Sequence, residues 1–192
     1  MEGIRVVNTL SYGLLTLLSA SSLSGYELTQ NIKPLWRAGH SQIYPLLVTM
    51  EQLGYITHER VEQADKPDKK IYTITGQGLD QLRQWVEIPA EPPAVRDELH
   101  FKLYSLWLSK PAEAKALLLK RKEFCQSELE RYHLLLANNE ALCAERGEAR
   151  ELEATTFGRY LLLSKRIMET ETSIRFCTWA LEQLESGAER PF

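Results

Sequence analysis

The chain has 192 residues, 44% of them apolar and 26% charged, the balance of an ordinary globular protein rather than a disordered tail or a fibre. Lys and Arg number 23 against 26 Asp and Glu, a formal net charge of −3. That excludes a histone-like polycation but not a protein with local positive charge for nucleic acid. No apolar run approaches the roughly 18 residues of a membrane span, and three widely spaced cysteines, Cys125, Cys143 and Cys177, give no disulfide framework and point to a reducing cytoplasm.

Composition changes at residues 88–95, I-P-A-E-P-P-A-V. Its prolines remove amide donors and push the residues before them out of helical geometry. Two modules are predicted, 1–88 and 89–192, with 88–95 as linker. In the first, Leu10, Leu14, Leu17 and Leu18 share one face of a helix starting at Asn8 or Thr9. A second helix opens at Ser24, where S-G-Y-E places Glu27 to complete a capping box. Pro34, Arg37 and Gly39 mark a break. A third helix runs from near Ser41 to Gly54, with Ile43, Leu46, Leu47, Met50 and Leu53 on its apolar face, Gly54 at C′ and Pro45 in or near the first turn. Tyr55–Glu62 and Lys70–Thr75 then alternate and are rich in β-branched and aromatic residues, separated by Q-A-D-K-P-D-K, which predicts a hairpin. Thr75 caps a fourth helix that reaches Trp85 and Val86.

Helix, helix, helix, hairpin, helix is the order of a winged helix-turn-helix. The predicted fold class is therefore mainly α with a small β-wing, followed by a long-helix dimerisation domain. A small α+β domain can use the same order for packing alone, since fold does not fix function.

Four ordered blocks carry a family resemblance: S-G-Y-E-L at 24–28, I-Y-P-L-L at 43–47, L-G-Y-I at 53–56 and K-I-Y-T-I-T-G-Q-G at 70–78. Together they resemble the PadR family of bacterial transcription regulators. V-R-D-E-L-H-F-K-L-Y at 95–104 is similar to the C-terminal helical domain that the longer members share with virulence activators. The resemblance implies a homodimer that binds double-stranded DNA, commonly as a repressor whose affinity responds to a small ligand.

If the third helix buries its apolar face, the opposite side presents Ser41, Gln42, Tyr44, Val48 and Thr49. Gln can pair with adenine, Ser and Thr serve bases or phosphates, Tyr donates to phosphate and Val meets a thymine methyl. A solvated face, with Tyr44 half-buried against the hairpin, is the plain alternative. Lys66, Lys69 and Lys70 on the wing, with Arg37 in the preceding turn, are candidates for the DNA backbone. The first module has eight basic and nine acidic residues, which argues against tight non-specific binding.

In the second module a short helix containing Phe101, Leu103, Tyr104, Trp107 and Leu108 precedes two long ones. Tyr160, Ile167, Ile174 and Leu181 recur every seven residues, and Leu163, Thr170, Cys177 and Leu184 recur three positions later. This is an a/d seam, matched more loosely by Leu118, Cys125 and Tyr132 with Leu129, Leu136 and Cys143. Such a seam closes within one chain or between two. A lone hairpin offers few partners for so long a stripe, so Tyr160, Leu163, Ile167, Ile174, Cys177, Leu181 and Leu184 are expected at a dimer interface. Trp85, Tyr104 and Trp107, near the domain junction, are candidate walls of an effector pocket.

Catalytic chemistry is not signalled. His40, His58, His100 and His133 are scattered, without the spacing of metal ligands, and no nucleophile elbow or dinucleotide loop is present. The expectation is a cytoplasmic, non-enzymatic DNA-binding homodimer without cofactor or metal. The rival is a protein-interaction module that keeps the winged-helix shape without binding DNA.

Overall fold

The structure is a computed structural model that describes residues 7–36, 38–62, 69–93, 96–152 and 154–187. It comprises two compact units, Met1–Pro93 and Ala94–Phe192.

In the first unit, α1 (Thr9–Ala20) is capped by Asn8, whose side chain accepts from the Ser11 amide at 2.9 Å. The strand β1 (Leu23–Ser24) leads into α2 (Gly25–Ile32). The capping box forms as the sequence predicts: the Ser24 amide donates to Glu27 Oε2 at 2.8 Å and the Glu27 amide to Ser24 Oγ at 3.2 Å. The third helix, α3 (His40–Gln52), ends in a Schellman turn. The Tyr55 amide reaches the Met50 carbonyl and the Gly54 amide the Glu51 carbonyl, both at 2.9 Å, with Gly54 at φ 73°.

Strands β2 (Ile56–Val61) and β3 (Lys69–Ile74) pair antiparallel, His58 opposite Tyr72 and Arg60 opposite Lys70. β1 adds to the other edge of β3, giving the order β1-β3-β2. Thr75 then caps α4 (Gly76–Val86). Its hydroxyl donates to the Gly54 carbonyl at 2.6 Å and accepts from the Gly78 amide at 3.1 Å, tying the start of α4 to the end of α3. Gly78 is required there, because a Cβ would lie 2.1 Å from the Tyr55 carbonyl oxygen. Leu14, Leu15, Leu28, Ile43, Leu47 and Met50 make a shared core, each worth roughly 1.5–3 kcal/mol on burial.

Two details differ from the sequence reading. α3 begins at His40, so Pro45 is its sixth residue rather than part of the first turn. Pro45 withholds an amide from the Ser41 carbonyl, and both residues are exposed. The two-residue β1 was not anticipated.

In the second unit, α5 (Glu98–Tyr104) is capped by Asp97, and a separate 3₁₀ turn, Leu106–Leu108, follows where one short helix was expected. Arg121 pairs with Asp97 and anchors this segment to α6 (Pro111–Arg146). Gly147 closes α6 in the left-handed conformation, φ 62°, and α7 (Thr155–Gly187) returns. The bond from Asn139 Nδ2 to the Thr156 carbonyl and the Lys115–Glu185 pair at opposite ends fix an antiparallel arrangement.

The seam of α7 finds its partner inside the chain. Ala114, Leu118, Cys125, Tyr132 and Asn139 of α6 are buried, the last four at intervals of seven. Leu163, Ile167, Cys177 and Leu181 are buried on α7, with Tyr160, Ile174 and Leu184 half-buried beside them. Within the chain one continuous α6 row meets this seam and supplies part of its burial. Burial also raises the thiol pKa of Cys125 and of Cys177, so both act as small apolar seam residues.

Candidate nucleic-acid interface

The interface is built from the exposed side of α3 and the adjoining wing. Ile43, Leu47 and Met50 anchor α3 in the core, which turns Ser41, Gln42, Tyr44, Val48 and Thr49 outward, all exposed. Three of them are already engaged. Gln42 Oε1 accepts from the Gly39 amide at 3.2 Å, closing the first turn of a helix whose N-cap has no side chain. Paired recognition of adenine uses the carboxamide oxygen as an acceptor, so Gln42 would have to share that oxygen with Gly39 or release it. Thr49 Oγ1 donates to the Pro45 carbonyl at 3.0 Å. Tyr44 leans on the start of α2, where a Cβ on Gly25 would meet its hydroxyl at 2.9 Å, and its ring stacks on His40 with centroids 5.8 Å apart. Ser41 and Val48 complete the row.

Lys69 and Lys70, adjacent in sequence, go to opposite faces of β3. Lys69 Nζ pairs with Glu27 Oε1 at 3.3 Å. The Ser24 hydroxyl, then the Ser24 amide and then Lys69, hold the Glu27 carboxyl below its ordinary pKa. Lys69 therefore ties the wing to the capping box of α2. Lys70 instead faces Arg60 across the ladder, and both are exposed. Neither has an ion-pair partner among the described residues. Like charges directly opposite one another weaken a sheet, and this pair concentrates positive charge on one face of the wing. Arg60 was not singled out from the sequence, and neither were His40 and Gln52, which are also exposed on α3. Arg37 and Lys66 lie outside the described residues.

Of the candidate pocket residues, Trp85 stacks on Tyr12 within the first unit, centroids 4.7 Å apart and planes 5° from parallel. Tyr104 and Trp107, in the second unit, are 87% and 80% exposed. Among the described residues no three His, Cys, Asp or Glu side chains come together as a metal site, and no helix is long and apolar enough to cross a membrane.

A third helix with a solvated face, a short sheet carrying an exposed basic pair and a helical hairpin in the second unit define a winged-helix protein of the transcription-regulator class. The family model described as the transcriptional regulator PadR-like family matches residues 14–84, and that described as virulence activator alpha C-term matches residues 95–185. The chain is 31% identical over 182 residues to the negative transcriptional regulator PadR of Bacillus subtilis, spanning 90% of this chain and 94% of that protein. Among solved structures it is similar to Bacillus subtilis PadR in complex with operator DNA, at 30% identity and TM-score 0.75, covering 92% and 99% of the two chains. It is also similar to Bacillus subtilis PadR in complex with p-coumaric acid, at 27% identity and TM-score 0.69, covering 94% and 99%. The chain belongs to the PadR-like family of transcriptional regulators, which is not a family of enzymes.

Proposed function

We propose that this regulator is a cytoplasmic homodimeric repressor that binds a pseudo-palindromic operator through α3 and the wing and is released by a small molecule. The observation that carries the DNA reading is the Arg60–Lys70 pair beside the exposed row of α3. Two cations that oppose each other across a ladder find their counter-charge on phosphates, while α3 meets base edges in the major groove. The relative solved with operator DNA supports the same reading.

The dimer is proposed on apolar surface outside the intrachain seam. On α7, Leu161, Met168, Phe176 and Trp179 are exposed, on the side opposite Leu163 and Leu181. On the segment before α6, Phe101, Tyr104, Trp107 and Leu108 are 79, 87, 80 and 70% exposed. With an aromatic side chain worth roughly 150–250 Å², these eight offer about 1,000 Å² per chain, above the roughly 800 Å² each partner gives to a stable interface. A small-molecule effector is supported by the relative solved with p-coumaric acid. Tyr104 and Trp107 are the candidate contacts, Trp85 being already stacked on Tyr12.

Selection from a random duplex pool tests the function. Enriched DNA is expected to bind about 10³-fold or more tighter than scrambled DNA, with affinity falling steeply as salt rises. Failure to enrich any sequence overturns the proposal in favour of a protein-interaction module.

A further inference from the structure

Glu51 stands in a row that a DNA-binding face should keep free of negative charge. It follows Tyr44 and Val48 at i+7 and i+3, on the wing-side edge of α3. An anion there opposes nearby phosphates, and it is also unfavourable in the last turn of a helix. The structure gives Glu51 a partner from the wing: His58 Nδ1 of β2 hydrogen-bonds Glu51 Oε1. The pair is sheltered, with side chains 19% exposed for His58 and 35% for Glu51. On its other side the imidazole leans on the ring of buried Tyr72 of β3, centroids 5.7 Å apart. Among the described residues, the other charged or titratable groups facing this spot are Tyr44 from α3 and, on the same face of the sheet, Arg60 and Lys70. β1 brings no charge there. Glu51 is the one carboxylate of α3, and Glu59, on β2, points to the opposite face.

We propose that His58 is a positioning residue for operator binding: it holds Glu51 against the wing and, when protonated, cancels its charge, so that binding DNA takes up a proton at this pair. The inference rests on the DNA-binding reading above. Imidazole is the side chain whose charge changes between about pH 5 and 8. With His58 neutral, the pair leaves one negative charge per subunit at the interface; with His58 protonated it leaves none. A polyanion binds the second form better. By linkage, affinity for DNA rises as pH falls through the imidazole range, and DNA in turn favours the protonated ring.

The test uses the full chain and a duplex enriched by the wild-type protein from a random pool, with affinity read by fluorescence anisotropy from pH 8 to 5.5 at fixed ionic strength. His58→Asn keeps a donor near the Nδ1 position but does not titrate. Every other histidine is common to both proteins, so the difference between them isolates His58. Wild-type affinity is expected to gain about fivefold per subunit more than His58→Asn over this range, the order for one unit charge near a phosphate. Glu51→Gln, which removes the negative charge outright, is expected to bind at pH 8 more tightly than wild type. Parallel pH profiles for wild type and folded His58→Asn, or a folded Glu51→Gln that binds no more tightly than wild type at pH 8, overturn the inference while leaving operator binding intact. A wild-type protein that never prefers the enriched duplex to scrambled DNA overturns the DNA reading and this inference with it.

Discussion

Replacing Arg60 and Lys70 by Ala moves DNA binding and stability in opposite directions. The two side chains oppose each other on β2 and β3, a like-charge pair that costs the sheet about 0.2–1 kcal/mol. Among the described residues neither is held by an acid, so truncation breaks no ion pair there. The double variant should therefore unfold at the same denaturant midpoint as wild type or slightly above it. Its DNA affinity should fall on every sequence, because phosphate contacts carry little sequence information. Each lost phosphate contact lowers the slope of log K against log salt by about 0.9, so a dimer losing two contacts per subunit loses about 3.6. Anisotropy with enriched and scrambled duplexes from 50 to about 200 mM salt reads the slope, and urea unfolding reads stability. An unchanged slope would refute phosphate contact. A clear loss of stability would show instead that the pair supports the fold.

Other substitutions separate the remaining parts of the account. Gly78→Ala should destabilise the first unit by about 3 kcal/mol in urea unfolding, because its Cβ would lie 2.1 Å from the Tyr55 carbonyl oxygen. Glu27→Gln should be less stable than wild type near neutral pH. Since hydrogen bonds from Ser24 depress the Glu27 carboxyl in the folded state, that difference is fully present above the unfolded pKa and shrinks as pH falls through the depressed folded one. Trp179→Asp, on the exposed side of α7, should dissociate the proposed dimer in sedimentation with its helical circular dichroism unchanged. Leu163→Asp, in the intrachain seam at 5% exposure, should cost several kcal/mol and lose helix content.

Periodicity made much of this legible. The core face of α3 follows from Ile43, Leu47 and Met50, and the Ser24–Glu27 box from four letters, because both depend on residues within one or two turns. The heptads of α7 were equally plain, but their partner was not, since an a/d stripe reads the same whether it closes on its own chain or on another. On α6 the buried row runs through Leu118, Cys125, Tyr132 and Asn139, and a polar Asn gave no sign of belonging to it. The wing required a register. Lys69 and Lys70 are alike in sequence, yet alternation sends one to Glu27, 42 residues away, and the other to face Arg60. Arg60 carried no signal until β2 was aligned with β3. The short β1 has no pattern of its own and exists because the edge of β3 is there to receive it.

The central claim is that two copies of α3 read DNA at a separation fixed by the dimer. Hydroxyl-radical footprinting of the full-length protein on its enriched duplex tests this most directly. The account predicts two protected, symmetry-related segments separated by about 10–10.5 base pairs, or a multiple of that, centre to centre. A single protected segment, or two whose spacing varies freely among enriched sequences, would contradict it.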